Sequence, residues 1–516
     1  MNLTAAFRSM FREYDVRGRV SDEELNVQSV HLIVSAYADL IAARGIRRAV
    51  IGYDNRTVSP AFAQEAADAL VEAGFEVFSL GLAISPYVYA AQYFLECEGA
   101  VMITASHNPD GWSGFKFGKG YSKTLEAPDI RELLERVEKR AADTPPPPSP
   151  GICHTIDLRE RYLEEITSRI HMGPNPPRIV IDAGNGGAGL FAWELFHRLG
   201  CPTFQLNCDP DTNYPHYFPN PSNLQAREAL RAMVLHPYIK AELGIGYDGD
   251  GDRLGVIDER GEDVYSDMVL AVLAKQLLER KPGATVVFDV KCSRALEESI
   301  AAAGGVPEMY KTGHSYIKAH MHEIGADLAG ERSGHLFIGG EDYFGFDDAV
   351  FASAKLVEYL SHQKAPLSEI IASMPQYVTS PEIKAECADA EKYGVVEAVT
   401  ATFKQRYPGR VNDINGARVS FEHGWGLVRA SSNLPELVLI FEADTEAHLR
   451  EIYAEFRDAL GAYPAVATLW DNDPYQSTAG DLREVDTAEF AGAPGEGAGA
   501  AGAAGEAGAP GAAVKG

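Results

Sequence analysis

The strongest constraint on the fold is a strand–helix–strand pattern that occurs three times along the chain. In each copy an apolar run ends at an aspartate, Asp54, Asp182 or Asp289, and the helical stretch that follows stops at a glycine. Continuous apolar runs of this kind are typical of strands covered on both faces, and strand–helix–strand order favours parallel strands joined by right-handed crossovers. The repeat predicts three α/β domains; chance similarity among ordinary βαβ units is the alternative.

The segment after the third unit has a different character. An apolar run at residues 437–441 precedes a helical stretch at residues 445–460, which predicts a smaller α+β domain. A single hydrophobic core stops growing at roughly 250–300 residues, so a chain of 516 residues is expected to form several domains. Ligands of α/β sheets gather at the carboxyl ends of the strands, and we expect the loops there to face one shared cleft.

The predicted domain limits follow from the repeat and from two segments of unusual composition. The predicted domains cover residues 1–150, 151–262, 263–375 and 376–475, and a tail covers residues 476–516. The proline-rich stretch at residues 144–150 is expected to be a stiff spacer. The tail is almost wholly Gly and Ala from residue 491 onward. It has too few bulky side chains to offset chain entropy, so we expect it to be disordered.

Composition excludes some classes of partner. The 46 Lys and Arg residues against 74 Asp and Glu residues give a formal net charge of −28, which repels nucleic acids and anionic membrane surfaces. No run approaches the ~20 apolar residues of a membrane-spanning helix, and the first residues lack a signal-peptide pattern. The six cysteines are scattered without a C-x-x-C pair, which favours reduced, buried thiols. We expect a cytoplasmic protein that binds neither nucleic acid nor membrane.

Three alternating aspartates, Asp248, Asp250 and Asp252, come directly after an apolar run. Converging carboxylates without His or Cys suit Mg²⁺, and the intervening glycines allow a tight turn. With Glu259 the spacing also fits an EF-hand loop; however, Arg253 stands where that loop needs glycine, and the flanks look like strands. A plain acidic turn is the other alternative, but neighbouring like charges are costly without a cation.

Ser106 lies at the tip of a predicted strand, in the segment T-A-S-H-N-P at residues 104–109. There is no G-x-S-x-G elbow and His107 is adjacent in sequence, so a hydrolase triad is not indicated. Taken alone, such a segment is more often a capped turn. A phosphorylated Ser106 would, however, supply the fourth ligand that three aspartates lack.

Residues 184–189 read G-N-G-G-A-G and formally match the dinucleotide-binding pattern G-x-G-x-x-G, with Asp209 twenty residues past Gly189. The segment lies in the middle of the chain, and no separate substrate base accompanies it. We therefore favour a tight strand-to-helix turn over a nicotinamide site.

Two polar, turn-rich segments have the composition of binding loops. The first, G-E-R-S-G-H at residues 330–335, offers a carboxylate, a hydroxyl and an imidazole, which suit sugar hydroxyls. The second, R-A-S-S-N-L-P at residues 429–435, places a guanidinium beside hydroxyl and amide donors, which suits a phosphate dianion. Either segment taken alone is more often an ordinary capped turn.

Taken in this order, the four motifs resemble those of the α-D-phosphohexomutase superfamily: a phosphoserine loop, a D-G-D-G-D-R metal loop, a G-E-x-S-G-H sugar loop and a C-terminal phosphate loop. The resemblance spans about residues 7–470, and residues 11–18, F-R-E-Y-D-V-R-G, resemble the opening of its phosphomannomutase/phosphoglucomutase branch. It implies an α/β fold class, with three tandem mixed-sheet α/β domains and a smaller α+β fourth domain around a central cleft.

The resemblance also implies roles for individual residues. The implied metal ligands are Ser106, Asp248, Asp250 and Asp252, and the implied catalytic residues are Ser106, Arg17, Lys116 and Arg253. The implied substrate-binding residues are Tyr14, Lys291, Gly313, His314, Glu331, Ser333, His335, Arg429, Ser431, Ser432 and Asn433. Two segments depart from the family pattern: Ser432 and Asn433 stand where Asn and Thr are usual, and Trp112 and Ser113 replace Tyr and Asn.

The implied activity is reversible phosphoryl transfer between the C1 and C6 oxygens of mannose or glucose phosphate, through phospho-Ser106 and hexose 1,6-bisphosphate. One Mg²⁺ per chain is expected as cofactor and hexose 1,6-bisphosphate as activator, in a monomer or weak homodimer. Dual specificity is expected, because the two sugars differ only at C2, whereas Glu331 and Ser333 are expected to bind O3 and O4. A non-catalytic sugar-phosphate binding protein and a Mg²⁺-dependent sugar phosphatase are the alternatives.

Overall fold

The computed structural model describes residues 3–143, 150–432 and 434–476. Most of the proline-rich stretch (residues 144–149), Asn433 and the tail from residue 477 lie outside the described residues, so what was predicted for them stays a prediction. Among the helices in the described ranges, none is long and apolar enough to cross a membrane. Residues up to Asp473 form one compact unit, and a second unit begins at Pro474.

The first domain is built on a seven-stranded sheet. Its strands are β1 (Val16–Arg19), β2 (Arg48–Tyr53), β3 (Glu76–Leu82), β4 (Gly99–Ile103), β5 (Trp112–Gly120), β6 (Lys123–Thr124) and β7 (Ile152–Thr155). Its helices are α1 (Ala5–Ser9), α2 (Val27–Ala42), α3 (Ser59–Glu72), α4 (Ser85–Phe94) and α5 (Ala127–Ala142). The strand order is β1-β5-β4-β2-β3-β7, with β6 paired to β5. The domain limits remain a proposal; β7 begins after residue 150 but pairs with β3, so it belongs to this first sheet.

The second sheet has five strands and the third has four. The second contains β8 (Ile179–Asp182), β9 (Thr203–Leu206), β10 (Leu243–Tyr247), β11 (Leu254–Asp258) and β12 (Asp263–Val264), with helices α6 (Arg159–Thr167), α7 (Gly189–Arg198) and α8 (Leu224–Val234). The third contains β13 (Thr285–Asp289), β14 (Val306–Tyr310), β15 (Leu328–Gly330) and β16 (Leu336–Ile338), with helices α9 (Ser266–Arg280), α10 (Arg294–Ala302), α11 (His314–Ile324), α12 (Ala349–Ser361) and α13 (Leu367–Ala372).

The three sheets share one topology, which confirms the predicted repeat. The strand orders β3-β2-β4-β5, β9-β8-β10-β11 and β14-β13-β15-β16 are equivalent. In each, three strands are parallel and the last is antiparallel, because a short loop, too short for a crossover helix, joins it to its neighbour. These loops are the serine loop (residues 104–111), the aspartate loop (248–253) and the glutamate loop (331–335). Three of the four motifs therefore occupy the same place in the three copies.

The fourth domain is an antiparallel sheet of six strands with two helices. Its elements are β17 (Val378–Thr379), β18 (Ile383–Glu386), α14 (Lys392–Arg406), β19 (Val411–Asn412), β20 (Ala417–Ser420), β21 (Gly424–Ala430), β22 (Glu436–Ala443) and α15 (Glu446–Gly461). The fourth motif, which we call the arginine loop (residues 429–435), joins β21 to β22. The predicted strand and helix at residues 437–460 are confirmed as β22 and α15.

Hydrophobic packing holds the domains together. Tyr87 of α4, Tyr162 of α6 and Phe191 of α7 pack with ring centroids 5.3–5.6 Å apart, in a core that is continuous through the first three domains. The fourth domain meets the third through Arg418, whose guanidinium lies 3.6 Å from the Trp425 ring centroid and donates to a backbone carbonyl of the third domain at 2.9 Å. All six cysteines are free, and five are buried. The loops of the first three domains are thus carried by one continuous core.

Asp182, at the end of β8, predicts a measurable pH effect on stability. Its carboxylate accepts hydrogen bonds from the Gly184 N–H and the Tyr217 hydroxyl, both at 2.9 Å, but burial raises its pKa to about 6. Because this pKa lies above that of the unfolded chain, the stability it contributes is complete below about pH 4 and is lost as the pH rises to 6. Asp182→Asn is therefore expected to be more stable than the wild type above pH 6, by up to ~3 kcal/mol.

Urea unfolding of Asp182→Asn and the wild type at pH 4, 5.5 and 7.5 measures this difference. The exposed Asp209→Asn is the matched control and is expected to show no such gain. A gain of equal size at pH 4 and pH 7.5 would contradict the explanation by burial of a charge.

Candidate active site

The structure brings the hydroxyl of Ser106 into contact with the aspartate loop, 142 residues away in sequence. Ser106 Oγ donates to Asp248 Oδ2 at 2.7 Å and lies 3.1 Å from His107 Nδ1. Ser106 is 2% exposed, and Asp248, Asp250 and Asp252 are fully buried. The serine oxygen and the carboxylates are therefore close enough to share one cation.

The backbone of Ser106 has a left-handed conformation, with φ 49°, which costs a residue with a side chain about 1 kcal/mol or more. Several contacts hold it there. The Ser106 N–H donates to Thr104 Oγ1 at 2.8 Å. The Arg56 guanidinium donates to the carbonyls of Ser106 and Asn108, at 3.0 and 2.6 Å, and is itself held by Asp54, which follows β2. Asp54, the aspartate of the first repeat, thus stabilises the conformation of the serine loop through Arg56.

The aspartate loop is the turn of a hairpin between β10 and β11, which excludes the EF-hand alternative because that motif requires flanking helices. Asp248 Oδ1 accepts two N–H groups of its own loop, both at 3.1 Å, and Gly251 has φ 71°. A Cβ on Gly249 would lie 2.8 Å from the Ser106 carbonyl oxygen. The glycines therefore allow both the tight turn and the close approach of the serine loop.

The carboxylates of the aspartate loop have oxygen atoms available for a cation. One ligand atom from each of Asp248, Asp250 and Asp252 lies within 4.8 Å of those of the other two. Asp250 Oδ1 and Asp252 Oδ1 are buried without a hydrogen-bond partner, a costly arrangement unless something else binds them. An all-oxygen donor set is the kind that Mg²⁺ prefers. The residues therefore fit a magnesium ion, whereas a plain acidic turn leaves the two unpaired oxygens unexplained.

Lys116, on β5, lies beside the carboxylates. Its Nζ donates to Asp250 Oδ2 at 2.6 Å and also to Asp252 Oδ2, and Ser85 Oγ donates to Asp250 Oδ2 at 2.6 Å. Burial lowers the pKa of Lys116, but the charges of Asp250 and Asp252 outweigh it and raise that pKa well above its usual value. Burial, and then the same two charges, raise the pKa of Asp248. One lysine does not neutralise three carboxylates, so the trio retains an affinity for a further cation.

Arg17 and Arg253, the other predicted catalytic cations, both lower the pKa of His107 through their positive charge. Burial lowers the pKa of His107 well below its usual value, and the charges of Arg253 and Arg17 lower it further. Arg17, on β1, also donates to Asn108 Oδ1 in the serine loop at 2.8 Å. A protein with a net charge of −28 thus concentrates cations around one buried serine, as an anionic substrate requires.

His335 belongs to a buried network that the sequence analysis missed. Its Nε2 accepts from Arg253 Nε at 3.0 Å, and its Nδ1 lies 3.0 Å from Asp347 Oδ2. Asp347 also accepts from Lys318 Nζ of α11 at 2.8 Å. Neither Asp347 nor Lys318 belongs to a motif. The available signal was a pair of aspartates inside the apolar segment F-G-F-D-D-A-V-F at residues 344–351.

The glutamate loop forms a wall of the site with one residue of the first domain. Glu331 accepts hydrogen bonds from the Gly313 N–H and, at 3.3 Å, from Ser333 Oγ. The Tyr14 ring lies 4.9 Å from the His314 ring, nearly perpendicular to it. Gly313 has φ 131°, and a Cβ there would lie 3.0 Å from the Tyr14 ring. The five predicted residues are therefore neighbours.

Lys291 and Arg429 form a second cationic group where the third and fourth domains meet. The pKa of Lys291 is lowered by burial and by the charge of Arg429, and nearby carboxylates raise it on balance. Arg429 donates to Asn415 Oδ1 at 2.9 Å and to Ser432 Oγ at 3.2 Å, and Ser431 is buried beside it. Two neighbouring cations with hydroxyl groups suit a phosphate dianion.

The first domain also contacts the third and fourth domains at the cleft. The Tyr316 hydroxyl donates to Glu13 Oε1 at 3.0 Å, and Arg12 NH1 lies 3.7 Å from Asp389 Oδ2. Tyr316 is buried, whereas the Arg12 and Asp389 side chains are 20% and 52% exposed, and exposed ion pairs contribute little stability. Separating the first domain from the fourth at this ion pair would therefore cost little free energy.

The G-x-G-x-x-G segment is a tight strand-to-helix turn, as predicted. Gly184 and Asn185 have φ of 52° and 62°, and α7 begins at Gly189. A Cβ on Gly189 would overlap the Cys208 carbonyl oxygen, and one on Gly186 would lie 3.1 Å from the Cα of Gly249. Protein backbone therefore fills the space that a pyrophosphate would need.

Comparison with known proteins places the whole architecture in one family. Models for phosphoglucomutase/phosphomannomutase α/β/α domains I, II and III match residues 8–144, 160–261 and 265–377. The model for the C-terminal domain of the same proteins matches residues 382–459. The chain is 39% identical over 454 residues to a phosphomannomutase/phosphoglucomutase from Pseudomonas aeruginosa, covering 88% of this chain and 96% of that protein.

Two further relatives agree. The chain is 38% identical over 462 residues to a phosphoglucomutase from Neisseria gonorrhoeae, covering 89% of this chain and 98% of that protein. The crystal structure of a phosphoglucomutase/phosphomannomutase family protein from Burkholderia thailandensis matches with a TM-score of 0.80 at 33% identity, covering 88% of this chain and 97% of that one. Motifs, sheet topology and these matches agree, and the chain belongs to the phosphoglucomutase/phosphomannomutase family.

Proposed function

We propose that this protein moves a phosphoryl group reversibly between the C1 and C6 oxygens of glucose phosphate or mannose phosphate, with Ser106 as the carrier. The observation that carries the proposal is the 2.7 Å hydrogen bond from Ser106 Oγ to Asp248 Oδ2, within a loop of three buried carboxylates. A phosphoryl group on this oxygen would lie against both the carboxylates and Lys116. Membership of the family supports the same reaction.

Asp248, Asp250 and Asp252, with a phosphate oxygen on Ser106, would hold one Mg²⁺. When bound, the ion would neutralise negative charge on the phosphoryl group being transferred. The protein prepares this site by holding the carboxylates in place: Asp248 through two backbone N–H groups and Asp250 through the Ser85 hydroxyl. Such fixed ligands need little rearrangement when the charge arrives.

Lys116, Arg17 and Arg253 would supply the remaining positive charge. Phosphoryl transfer depends mainly on alignment and charge stabilisation. In the first step the Oγ–P bond of phospho-Ser106 breaks as an O–P bond forms to the free O6 or O1 of the sugar, and the proton of that sugar hydroxyl passes to Ser106 Oγ. The second step returns the phosphoryl group at the other end to Ser106 Oγ. His107 is neutral because its pKa is lowered, and its Nδ1, 3.1 Å from Ser106 Oγ, would orient this oxygen.

The other predicted residues would hold the sugar and its second phosphate. The phosphate that is not being transferred would be bound by Lys291, Arg429, Ser431, Ser432 and Asn433. The sugar would be bound by Tyr14, Gly313, His314, Glu331, Ser333 and His335, with Glu331 and Ser333 at O3 and O4. Because the bisphosphate must turn over between the two steps, the cleft has to open. The weak Arg12–Asp389 contact is the one that we expect to break.

Hexose 1,6-bisphosphate would be both intermediate and activator. If it leaves before the second step, Ser106 remains without its phosphate, and a trace of bisphosphate restores it. We further propose that the protein acts in the cytoplasm as a monomer or weak homodimer, without nucleic acid or membrane partners. Its free cysteines and its net charge of −28 support this.

The test compares glucose 1-phosphate, mannose 1-phosphate and glucosamine 1-phosphate as substrates, each with and without a trace of hexose 1,6-bisphosphate. We expect the first two to be converted to 6-phosphates at rates that the bisphosphate increases, with almost no inorganic phosphate released. Phosphate that accumulates in step with substrate loss would instead identify a phosphatase. Tight binding without turnover would identify a binding protein.

A further inference from the structure

His423, Asp444 and His448 form a cluster on the surface of the fourth domain. His423 immediately precedes β21 and Asp444 immediately follows β22. The register pairs Gly424 with Ala443, and the Asp444 N–H donates to the His423 carbonyl at 2.9 Å, so the two residues lie opposite each other. His448 lies in the first turn of α15, four residues after Asp444, which precedes the N-cap residue Thr445. Strand register and helix spacing together bring the three side chains to one point.

The nitrogen and oxygen atoms of the cluster have the spacing of metal ligands. His423 Nδ1 lies 3.1 Å from Asp444 Oδ2 and His448 Nδ1 lies 2.5 Å from Asp444 Oδ1, with one ligand atom of each residue within 4.8 Å of the others. The two imidazoles are stacked, with centroids 3.9 Å apart, so one ring has to rotate to direct its Nδ1 at a shared ion. Around a tetrahedral Zn²⁺ ion with bonds of about 2.0–2.2 Å, neighbouring ligands lie about 3.3–3.6 Å apart. The 3.1 Å His423 contact is close to this range, whereas the 2.5 Å His448 contact has to lengthen when the ion replaces the hydrogen bond.

Local charge and exposure also suit a cation. The carboxylates of Glu422 and Glu451 act electrostatically on His448, together with Asp444. The N-terminus of α15 opposes a cation with about half a positive charge, and three carboxylates outweigh it. The side chains of His423, Asp444 and His448 are 46%, 44% and 31% exposed. An ion can therefore enter and keep water ligands.

We propose that His423, Asp444 and His448 bind one transition-metal ion of the Zn²⁺ type, with water completing the coordination. Two imidazoles and a carboxylate suit Zn²⁺ or Co²⁺, whereas the all-oxygen aspartate trio suits Mg²⁺, so the two sites differ in chemical class. The arginine loop begins at the other end of β21, about 20 Å away at ~3.4 Å per residue. The bound ion joins the β21–β22 end to α15 and so stabilises the fourth domain without taking part in phosphoryl transfer.

The test is a titration of the full-length protein with Co²⁺ in excess Mg²⁺, followed by visible absorption, and a parallel measurement of Tm with and without Zn²⁺. We expect one Co²⁺ per chain and a rise in Tm with Zn²⁺. Both are expected to be lost in His423→Ala and in His448→Gln, which keep wild-type mutase activity with Mg²⁺ and are therefore folded. The exposed His216→Ala is the matched control and is expected to bind Co²⁺ like the wild type. A wild type that binds no Co²⁺, or variants that bind as much as the wild type, would overturn the proposal.

Discussion

Ser106→Ala is expected to lower mutase turnover by on the order of 10³-fold or more, because it removes the oxygen atom that carries the phosphoryl group. The substitution leaves the serine loop intact, since the contacts that hold the loop use the backbone N–H and carbonyl of residue 106. Alanine bears the same strain as serine at φ 49°. Turnover is therefore lost because the nucleophile is missing and not because the protein unfolds. The far-ultraviolet circular dichroism and Tm are expected to stay close to those of the wild type.

Two measurements check this expectation. One is the conversion of glucose 1-phosphate with saturating hexose 1,6-bisphosphate. The other is the mass of the protein after incubation with the bisphosphate, which is expected to increase by one phosphate in the wild type and to stay unchanged in Ser106→Ala. Ser113→Ala is the matched control, because Ser113 is a buried serine of the adjoining strand β5 whose hydroxyl has no hydrogen-bond partner. It is expected to retain activity and to gain the phosphate. An active Ser106→Ala variant would end the carrier hypothesis.

Asp248→Asn is expected to lower activity and, in the absence of Mg²⁺, to raise stability. The amide oxygen can still accept the two N–H groups of the aspartate loop, so the turn is kept and one negative charge is lost. We expect the Mg²⁺ concentration needed for half-maximal activity to rise by at least about 10–100-fold. We also expect kcat to fall, because the trio then offers one charged ligand fewer to the ion and to the phosphoserine.

The effect of Asp248→Asn on stability has a sign that depends on the metal. Burial and the neighbouring carboxylates raise the pKa of Asp248, so the stability it contributes is present at low pH and is lost as the pH rises. In EDTA at neutral pH the variant is therefore expected to unfold at a higher temperature than the wild type. With Mg²⁺ at about 100 times its Kd, binding stabilises the wild type by ~2.7 kcal/mol and the order is expected to reverse.

Thermal unfolding in EDTA and in Mg²⁺ measures this reversal. Asp258→Asn is the matched control, because Asp258 is a buried aspartate at the end of β11 that also accepts two backbone N–H groups. If Asp258→Asn unfolds at a higher or a lower temperature than the wild type in EDTA, it is expected to do the same in Mg²⁺. If Asp248→Asn is less stable than the wild type even in EDTA, the repulsion among the three carboxylates is not the dominant effect.

The βαβ units could be predicted from the sequence because buried strands are apolar throughout and glycine ends the helices. The three apolar runs that end at Asp54, Asp182 and Asp289 are the strands β2, β8 and β13. The helices that follow them, α3, α7 and α10, each end two residues before a glycine. The apolar pattern could not predict the antiparallel fourth strand of each sheet, because that pattern is the same for a buried strand in either direction; the mixed sheets were implied only by the family resemblance. The pairing of β7 with β3, at the exposed edge of the first sheet, was also missed, since four residues carry too little pattern.

By itself the sequence determined which side chains are available for the chemistry. Three aspartates alternate with glycines, and a serine follows a predicted strand. Although the chain is acidic, Arg and Lys residues lie in or next to its polar loops. Only the tertiary structure decided that Ser106 and Asp248 are 2.7 Å apart and that Lys116 lies between two carboxylates. It also decided that Asp347 and Lys318 support His335. Residue type is a local property that can be read along the chain, whereas these distances depend on how separate sheets pack against one another.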